Sequence, residues 1–367
     1  MALRFCLPRV SRQGYGLGNE LVPWARAFLA AQVVDATLLP PAFGLNRRGY
    51  WRDFHTAPDD WIYNRTIERL LPKVEFTEAH YLQYGGGDVV PALRRFAEAQ
   101  RLHERSMFVL VTEGLWGGFH HVQAAREFMR STLYRSRYAA RNLLMLRERI
   151  DPDKILVAMH VRLGDFKPPA DRAAYRCAAN VSLPLEWFGR IAQSLRAALG
   201  NEVQFLLVSD GTRAQLQPLL GELSWVTTAD LAHADCSDVL ALADADLLVC
   251  SASTYSHLAA FLSDAPYLWF APNLYPHAEG VYSLGDPTTD LQRPDSARMR
   301  AIRRAGEAQG AARDFGGRGI AVELDGALPD SLIETLQQRH AWRRWERDLV
   351  RGGVVTSEAN ARPPDSP

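Results

Sequence analysis

The rhythm of apolar and polar positions changes near residue 150. From Ile155 onward, short apolar runs alternate with amphipathic stretches. Ile155 to Val161, Val203 to Ser209, Trp225 to Thr227, Asp246 to Cys250 and Tyr267 to Phe270 read as strands. Between them, Leu185 to Leu199, Thr212 to Leu220, Ser237 to Ala243 and Ser253 to Leu262 repeat apolar residues at helical spacing. Strands separated by helices at this interval predict a parallel, doubly wound sheet with Tyr267 to Phe270 as its last strand. Ligands bind such sheets beyond the carboxyl ends of the strands, so polar clusters just after each strand are the candidate chemistry.

The first 150 residues are less regular. Helical patterning appears at Glu20 to Val34 and Val89 to Arg101, and Ser106 to Thr112 reads as a buried strand. Leu45 to Pro58 is irregular, and His121 to Arg149 reads as one long helical run closed by Asp151-Pro152. The 367 residues thus divide into a unit at 1–150, a unit at 151–350 and a tail at 351–367 whose composition predicts disorder. Ser331 to Val350 carries Trp342, Trp345 and Leu349 at helical spacing among arginines. Such a helix either packs on the body, the N-terminal unit included, or offers a peripheral membrane contact.

Composition narrows the partners. Forty-two basic residues balance 42 acidic ones, and this zero net charge argues against a nucleic-acid footprint. Only Lys73, Lys154 and Lys167 are lysines, so nearly all the positive charge is guanidinium; position must single out any functional arginine. The N-terminal apolar run is too short for a signal peptide and none reaches the ~20 residues that span a bilayer. Cys6, Cys177, Cys236 and Cys250 are scattered without metal or disulfide spacing. A cytoplasmic, bacterial protein is expected.

Directly after the first strand of the regular half comes His160-Val-Arg162-Leu-Gly164-Asp165. Strand alternation sends His160 and Arg162 to one side, where forked guanidinium donors suit a phosphorylated ligand. Ser209-Asp210 follows the second strand. Ser251-Ala-Ser253-Thr254 follows Asp246 to Cys250 and opens a helix, an arrangement that offers hydroxyls and backbone N–H groups to an anion. Asp244-Ala-Asp246 is a DxD, but it precedes a strand rather than following one. Gly14-Tyr-Gly16-Leu-Gly18-Asn19 fails as a dinucleotide loop because Asn stands where the third Gly is needed.

The ordered set H-x-R-x-G-D, S-D, an Asp eight residues ahead of D-L-L-V-C-S-x-S-T, and the N-terminal G-x-G-N resembles the GDP-fucose-dependent fucosyltransferases. The resemblance spans about residues 14–270 and covers the α1,2-, α1,6- and protein O-fucosyltransferase groups. It implies a GT-B-like α/β fold, two Rossmann-like domains facing across a cleft that holds the donor. It further implies that Arg162 binds the donor's β-phosphate, that His160 sits by the nucleotide, and that Asp238 accepts from guanine N1 and N2. Ser253 and Thr254 match the hydroxyls at the diphosphate, Gly16, Gly18 and Asn19 fall on a loop closing over the donor, and Asp210 and Ser251 join the implied donor-binding set. The implied reaction is inverting transfer of L-fucose from GDP-fucose to a glycan or glycoconjugate hydroxyl, with no metal and no further cofactor.

Glu20 replaces the usual Gln of the motif, and Ala170 stands where α1,6 enzymes carry a base-like Glu. The catalytic base is therefore open among Asp165, Asp171 and Glu20. Two rival readings remain: a metal-dependent GT-A transferase using Asp244 and Asp246, and a non-catalytic protein of similar fold that binds a GDP-sugar or glycan. Tyr50, Trp51, Trp61, Tyr63 and Trp116 are candidates to stack on acceptor sugar rings.

Overall fold

The structure is a computed structural model. It describes residues 2–9, 14–43, 47–54, 58–84, 88–114, 116, 118–119, 121–170, 175, 181–221, 223–273, 275–277, 280–282 and 318–351. The chain is an α/β protein built on two parallel sheets, the class expected.

The first sheet has the order β2-β1-β4-β3, from β1 (Leu3–Pro8), β2 (Thr37–Leu38), β3 (Lys73–Phe76) and β4 (Met107–Thr112). Helices α1 (Leu17–Val34), α2 (Pro58–Leu70), α3 (Glu78–Gln83) and α4 (Val89–Ala99) join these strands, and α5 (Arg126–Tyr134) and α6 (Ala139–Arg149) follow. Nearly every face of α1 is buried, because it lies between the first sheet and the second half of the molecule. The single helix expected over 121–149 is two. It breaks at Arg135–Tyr138, where the Arg137 N–H bonds the Asp53 carbonyl (2.9 Å) instead of continuing the helical ladder.

The second sheet comprises β5 (Ile155–Val161), β6 (Val203–Ser209), β7 (Trp225–Thr227), β8 (Leu247–Val249), β9 (Tyr267–Phe270) and β12 (Gly319–Val322), in the order β12-β9-β8-β5-β6-β7. A small antiparallel pair, β10 (Tyr275–His277) and β11 (Gly280–Tyr282), precedes β12. The interleaved helices are α7 (Leu185–Leu199), α8 (Arg213–Leu220), α9 (Asp235–Ala243) and α10 (Thr254–Leu262). Tyr267 to Phe270 is not the last strand of the sheet as expected, since β12 follows it and pairs outside it in parallel register, Gly319 opposite Tyr267. Strands β5 and β8 are continuous apolar runs because helices cover both faces of the sheet. Strand order reverses between β5 and β8, which opens a crevice at their carboxyl ends.

One apolar core continues from α1 and the first sheet into α9 and α10, with Phe119 stacked on Phe261 at 5.2 Å. The last helix, α11 (Asp330–Arg351), buries Leu332 and Leu336 in the second sheet's outer core. Arg343 donates to the Asp244 carbonyl (2.8 Å) and pairs with Asp246 (3.0 Å). It therefore lies on the second sheet; the side chains of Trp345 and Leu349, and the tail beyond Arg351, fall outside the described residues. Among the described residues, no helix is long and apolar enough to cross a membrane.

Candidate active site

A cavity of about 580 Å³ opens where the start of α1 meets the carboxyl ends of β5, β6 and β8. Two helix N-termini converge there. Ser253 caps α10 by accepting from the Ser256 N–H (3.3 Å), and Gly16 precedes α1. Their positive dipole ends and uncommitted N–H groups favour an anion. Gly18 makes the approach possible: a Cβ there would meet the Thr254 carbonyl oxygen at 2.5 Å.

β5 delivers His160 and Arg162 to this cavity, the side that strand alternation predicts. His160 is buried, and its Nδ1 lies 2.7 Å from the Ser256 hydroxyl. Burial, with the nearby Arg162 charge, pulls its pKa down to about 3, so the ring is neutral across the physiological range. The Ser256 hydroxyl also accepts from the Ser251 N–H (3.0 Å). Ser251 in turn donates to the His160 carbonyl (2.6 Å) and accepts from the Arg162 N–H (3.0 Å). Ser251 therefore staples β8 to β5, and its hydroxyl is spent on the backbone, away from the cavity lining. Expected among the donor-binding residues, it shapes the site from behind and is not among the residues that line the cavity.

The Arg162 guanidinium bonds Asp165 and pairs with Asp210 at 2.5 Å, above the Phe166 ring. Asp210 also accepts from the N–H groups of Leu163 (2.8 Å) and Gly164 (3.1 Å), shaping the turn after β5. A Cβ on Gly164 would run into that same carboxylate. Across the cleft, Arg48 donates to the Gly14 carbonyl (2.8 Å) and reaches Asp165 at 3.4 Å.

α9 forms another wall with Asp235 and Asp238. Asp238 takes a bond from the Thr228 hydroxyl (3.2 Å) on one oxygen; its other oxygen is enclosed and has no donor among the described residues. Burial pushes its pKa well above the ordinary carboxylate value. The side-chain oxygen of Asn19, on the opposite wall, is enclosed and without a donor in the same way. Buried acceptors are normally satisfied, so two orphans in one cavity mark a place for ligand donors.

Ten expected residues thus share one cavity: Gly16, Gly18, Asn19, His160, Arg162, Asp165, Asp210, Asp238, Ser253 and Thr254. Glu20 does not join them. It is 1% exposed and is not among the residues lining the cavity, so it is not presented there to an acceptor hydroxyl as a base. Asp171 lies outside the described residues. Sequence reasoning missed Arg48, Asp235 and Tyr255, whose hydroxyl donates to the Asp235 carbonyl (2.5 Å). Asp235 stood three residues before Asp238 on one helix face and was findable; Arg48 sat in a stretch with no pattern.

The DxD pair lies at the other end of β8. Asp244 bonds Arg130 and the Tyr134 hydroxyl (2.8 Å), and Asp246 accepts from the Leu156 N–H (2.8 Å). Both carboxylates are tied to structural partners far along the strand from the cavity. Among the aromatic candidates, Tyr50 and Trp116 are buried, whereas Trp51 and Tyr63 are exposed and Trp61 is half-buried.

No protein-family model and no curated protein matches the chain. Among solved structures, the chain is similar to the fucosyltransferase NodZ from Bradyrhizobium at 16% identity, covering 72% of this chain and 94% of that one, with a TM-score of 0.43. It is similar to NodZ alpha-1,6-fucosyltransferase co-crystallised with GDP at 16% identity, covering 72% and 93%, with a TM-score of 0.42. It is also similar to POFUT1 in complex with GDP-fucose at 12% identity, covering 72% and 96%, with a TM-score of 0.39.

Proposed function

We propose that this chain is an inverting glycosyltransferase that moves L-fucose, or a related deoxyhexose, from its GDP donor to a glycan or glycoconjugate hydroxyl. The observation that carries the reading is the pairing, in one cavity, of an enclosed carboxylate oxygen without a donor among the described residues (Asp238) with an arginine beside two helix N-termini (Arg162). Guanine presents N1–H and N2–H donors side by side; these favour the ionised form of Asp238 against the pull of burial, and that acceptor-only form selects guanine over adenine. The diphosphate then lies toward Arg162 and the α10 N-terminus. There the guanidinium compensates the charge that accumulates as GDP departs. Ser253 and Thr254 add donors at the same end, and neutral His160 lines the wall without adding charge.

The donor is held mainly by residues 151–350, with residues 14–19 closing the opposite wall. The base is Asp165 or the neighbouring Asp171. Asp165 lies on the cavity, with its oxygens given to arginines. Transfer proceeds without a divalent metal, because Asp244 and Asp246 serve as structural acids at the far end of β8.

Thermal shift with GDP, ADP and UDP tests the reading. GDP is expected to raise the melting temperature clearly above the other two, and Asp238→Asn to lower GDP affinity by about 10- to 100-fold, the worth of a bond to a charged acceptor. Equal shifts with all three nucleotides overturn it. Turnover of GDP-fucose with an acceptor panel, in EDTA, separates a transferase from a protein that only binds the donor.

A further inference from the structure

Arg162 alone makes a poor phosphate site. It touches two carboxylates, Asp165 and Asp210, so the three side chains together carry one formal negative charge. An incoming diphosphate would meet a cluster of its own sign. Arg48 changes that balance. Its side chain is 40% exposed, reaches into the cavity from the wall opposite Arg162, and is aimed by a bond from its Nε to the Gly14 carbonyl (2.8 Å). Asp165 bridges the two: Oδ1 bonds Arg162 Nη2, and Oδ2 lies 3.4 Å from Arg48 Nη2. Two guanidiniums facing one pair of anionic oxygens is the arrangement that binds phosphate with two-pronged geometry.

We propose that Arg48 is a second diphosphate-binding residue, which exchanges Asp165 for phosphate oxygens when the donor enters, so that both walls grip the diphosphate. Asp165 holds the place of the phosphate between the two guanidiniums until then. This assignment rests on the GDP-sugar reading for the identity of the ligand, and on the cavity's charges for its chemistry. The bond to Gly14 gives Arg48 a second consequence. It ties Arg48 to the segment 14–16 that leads into α1 and lines the same cavity.

The test is isothermal titration of the full chain and its Arg48→Ala and Arg48→Lys variants with GDP, GMP and inorganic pyrophosphate. Arg48→Ala is expected to weaken GDP and pyrophosphate about tenfold or more and GMP less than about threefold, with Lys restoring part of the loss. Melting temperatures within a few degrees of the parent establish that the variants fold. Unchanged GDP and pyrophosphate affinity overturns the proposal. So does an equal loss for GMP and GDP, which would reduce Arg48 to a tether of the Gly14 loop. If the parent protein shows no preference for GDP over ADP, the GDP-sugar reading fails, and the pyrophosphate titration still decides Arg48.

Discussion

The carboxyl ends of the two sheets share a topology and differ in how completely their polar groups are satisfied. At the first sheet, Arg9 after β1 bonds Glu68 and Glu113 (2.7 Å) and approaches Glu75 (3.6 Å). Lys73 pairs with Glu75 (2.5 Å) and Arg65 with Glu68 (3.0 Å). Behind them, the fully buried Arg26 lies 3.4 Å from the Trp116 ring centroid and donates to the carbonyls of Glu113 and Trp116, both at 2.8 Å. At the second sheet, Asp238 and Asn19 keep enclosed oxygens without donors among the described residues, and one arginine is contested by two carboxylates. A parallel sheet opens a crevice at its carboxyl end; the charges at the first sheet's end close on one another as a brace, whereas those around the second sheet's cavity leave acceptors open, the mark of a candidate site.

That contrast is broken most severely at Arg162. Arg162→Ala should reduce transfer by about 10²- to 10³-fold, the loss typical of removing one donor to a developing anion, while the melting temperature stays near the parent value. Steady-state kinetics beside a thermal melt reads both quantities. Near-normal turnover would show that the second sheet's end is no more a phosphate site than the first.

Arg26 is the converse. Arg26→Met removes the donors of several buried carbonyls and a cation stacked on Trp116, and should lower the unfolding free energy by about 2–4 kcal/mol. Turnover below the melting temperature should stay within about twofold. Urea unfolding with parallel kinetics checks this. A loss of turnover at full stability would mean that the first sheet's end takes part in the reaction.

The two halves also differed in legibility. The second sheet was readable because strands covered on both faces appear as unbroken apolar runs, as in Val203–Ser209, and α7 ran over the expected Leu185–Leu199. In the first half, β1 and β3 carry charged residues within the strand, Arg4 in one and Lys73 and Glu75 in the other, so Leu3–Pro8 and Lys73–Phe76 left no apolar run. The break between α5 and α6 came from a tertiary bond, Arg137 to Asp53, that no local residue announces. The site followed the same division. Arg162 and Asp210 drew attention because each directly follows a legible strand, and Asp238 because the family resemblance pointed to it, whereas Arg48 lies on a turn that neither route reaches. Glu20 was misread although the chain held the clue: Leu17, Leu21 and Trp24 mark the buried face of α1, and position 20 falls on it.

The smallest effect expected comes from Asp53, where the first half touches the open site. Asp53 is 3% exposed, and one of its oxygens has no partner among the described residues. Burial first, then the charge of Asp235, raise its pKa to about 7, while its own N–H and Arg52 act the other way. Between pH 4 and 7 the unfolded chain has released this proton and the folded chain keeps it, so the group lowers stability as pH rises through that window. His160 acts with the opposite sign: its folded pKa near 3 lies below the ordinary 6.5, so its contribution grows as pH rises from 3 to 6.5. The two slopes oppose each other in the parent protein and separate in a difference. Asp53→Asn cannot ionise, so its stability relative to the parent should climb from pH 5 to 7 and level off above pH 8, by about 1 kcal/mol or more. Urea unfolding of both proteins at pH 5, 6, 7 and 8 measures that difference, from which His160 cancels. A difference that does not change with pH would place Asp53 with the satisfied groups of the first sheet rather than with the open ones behind the cavity.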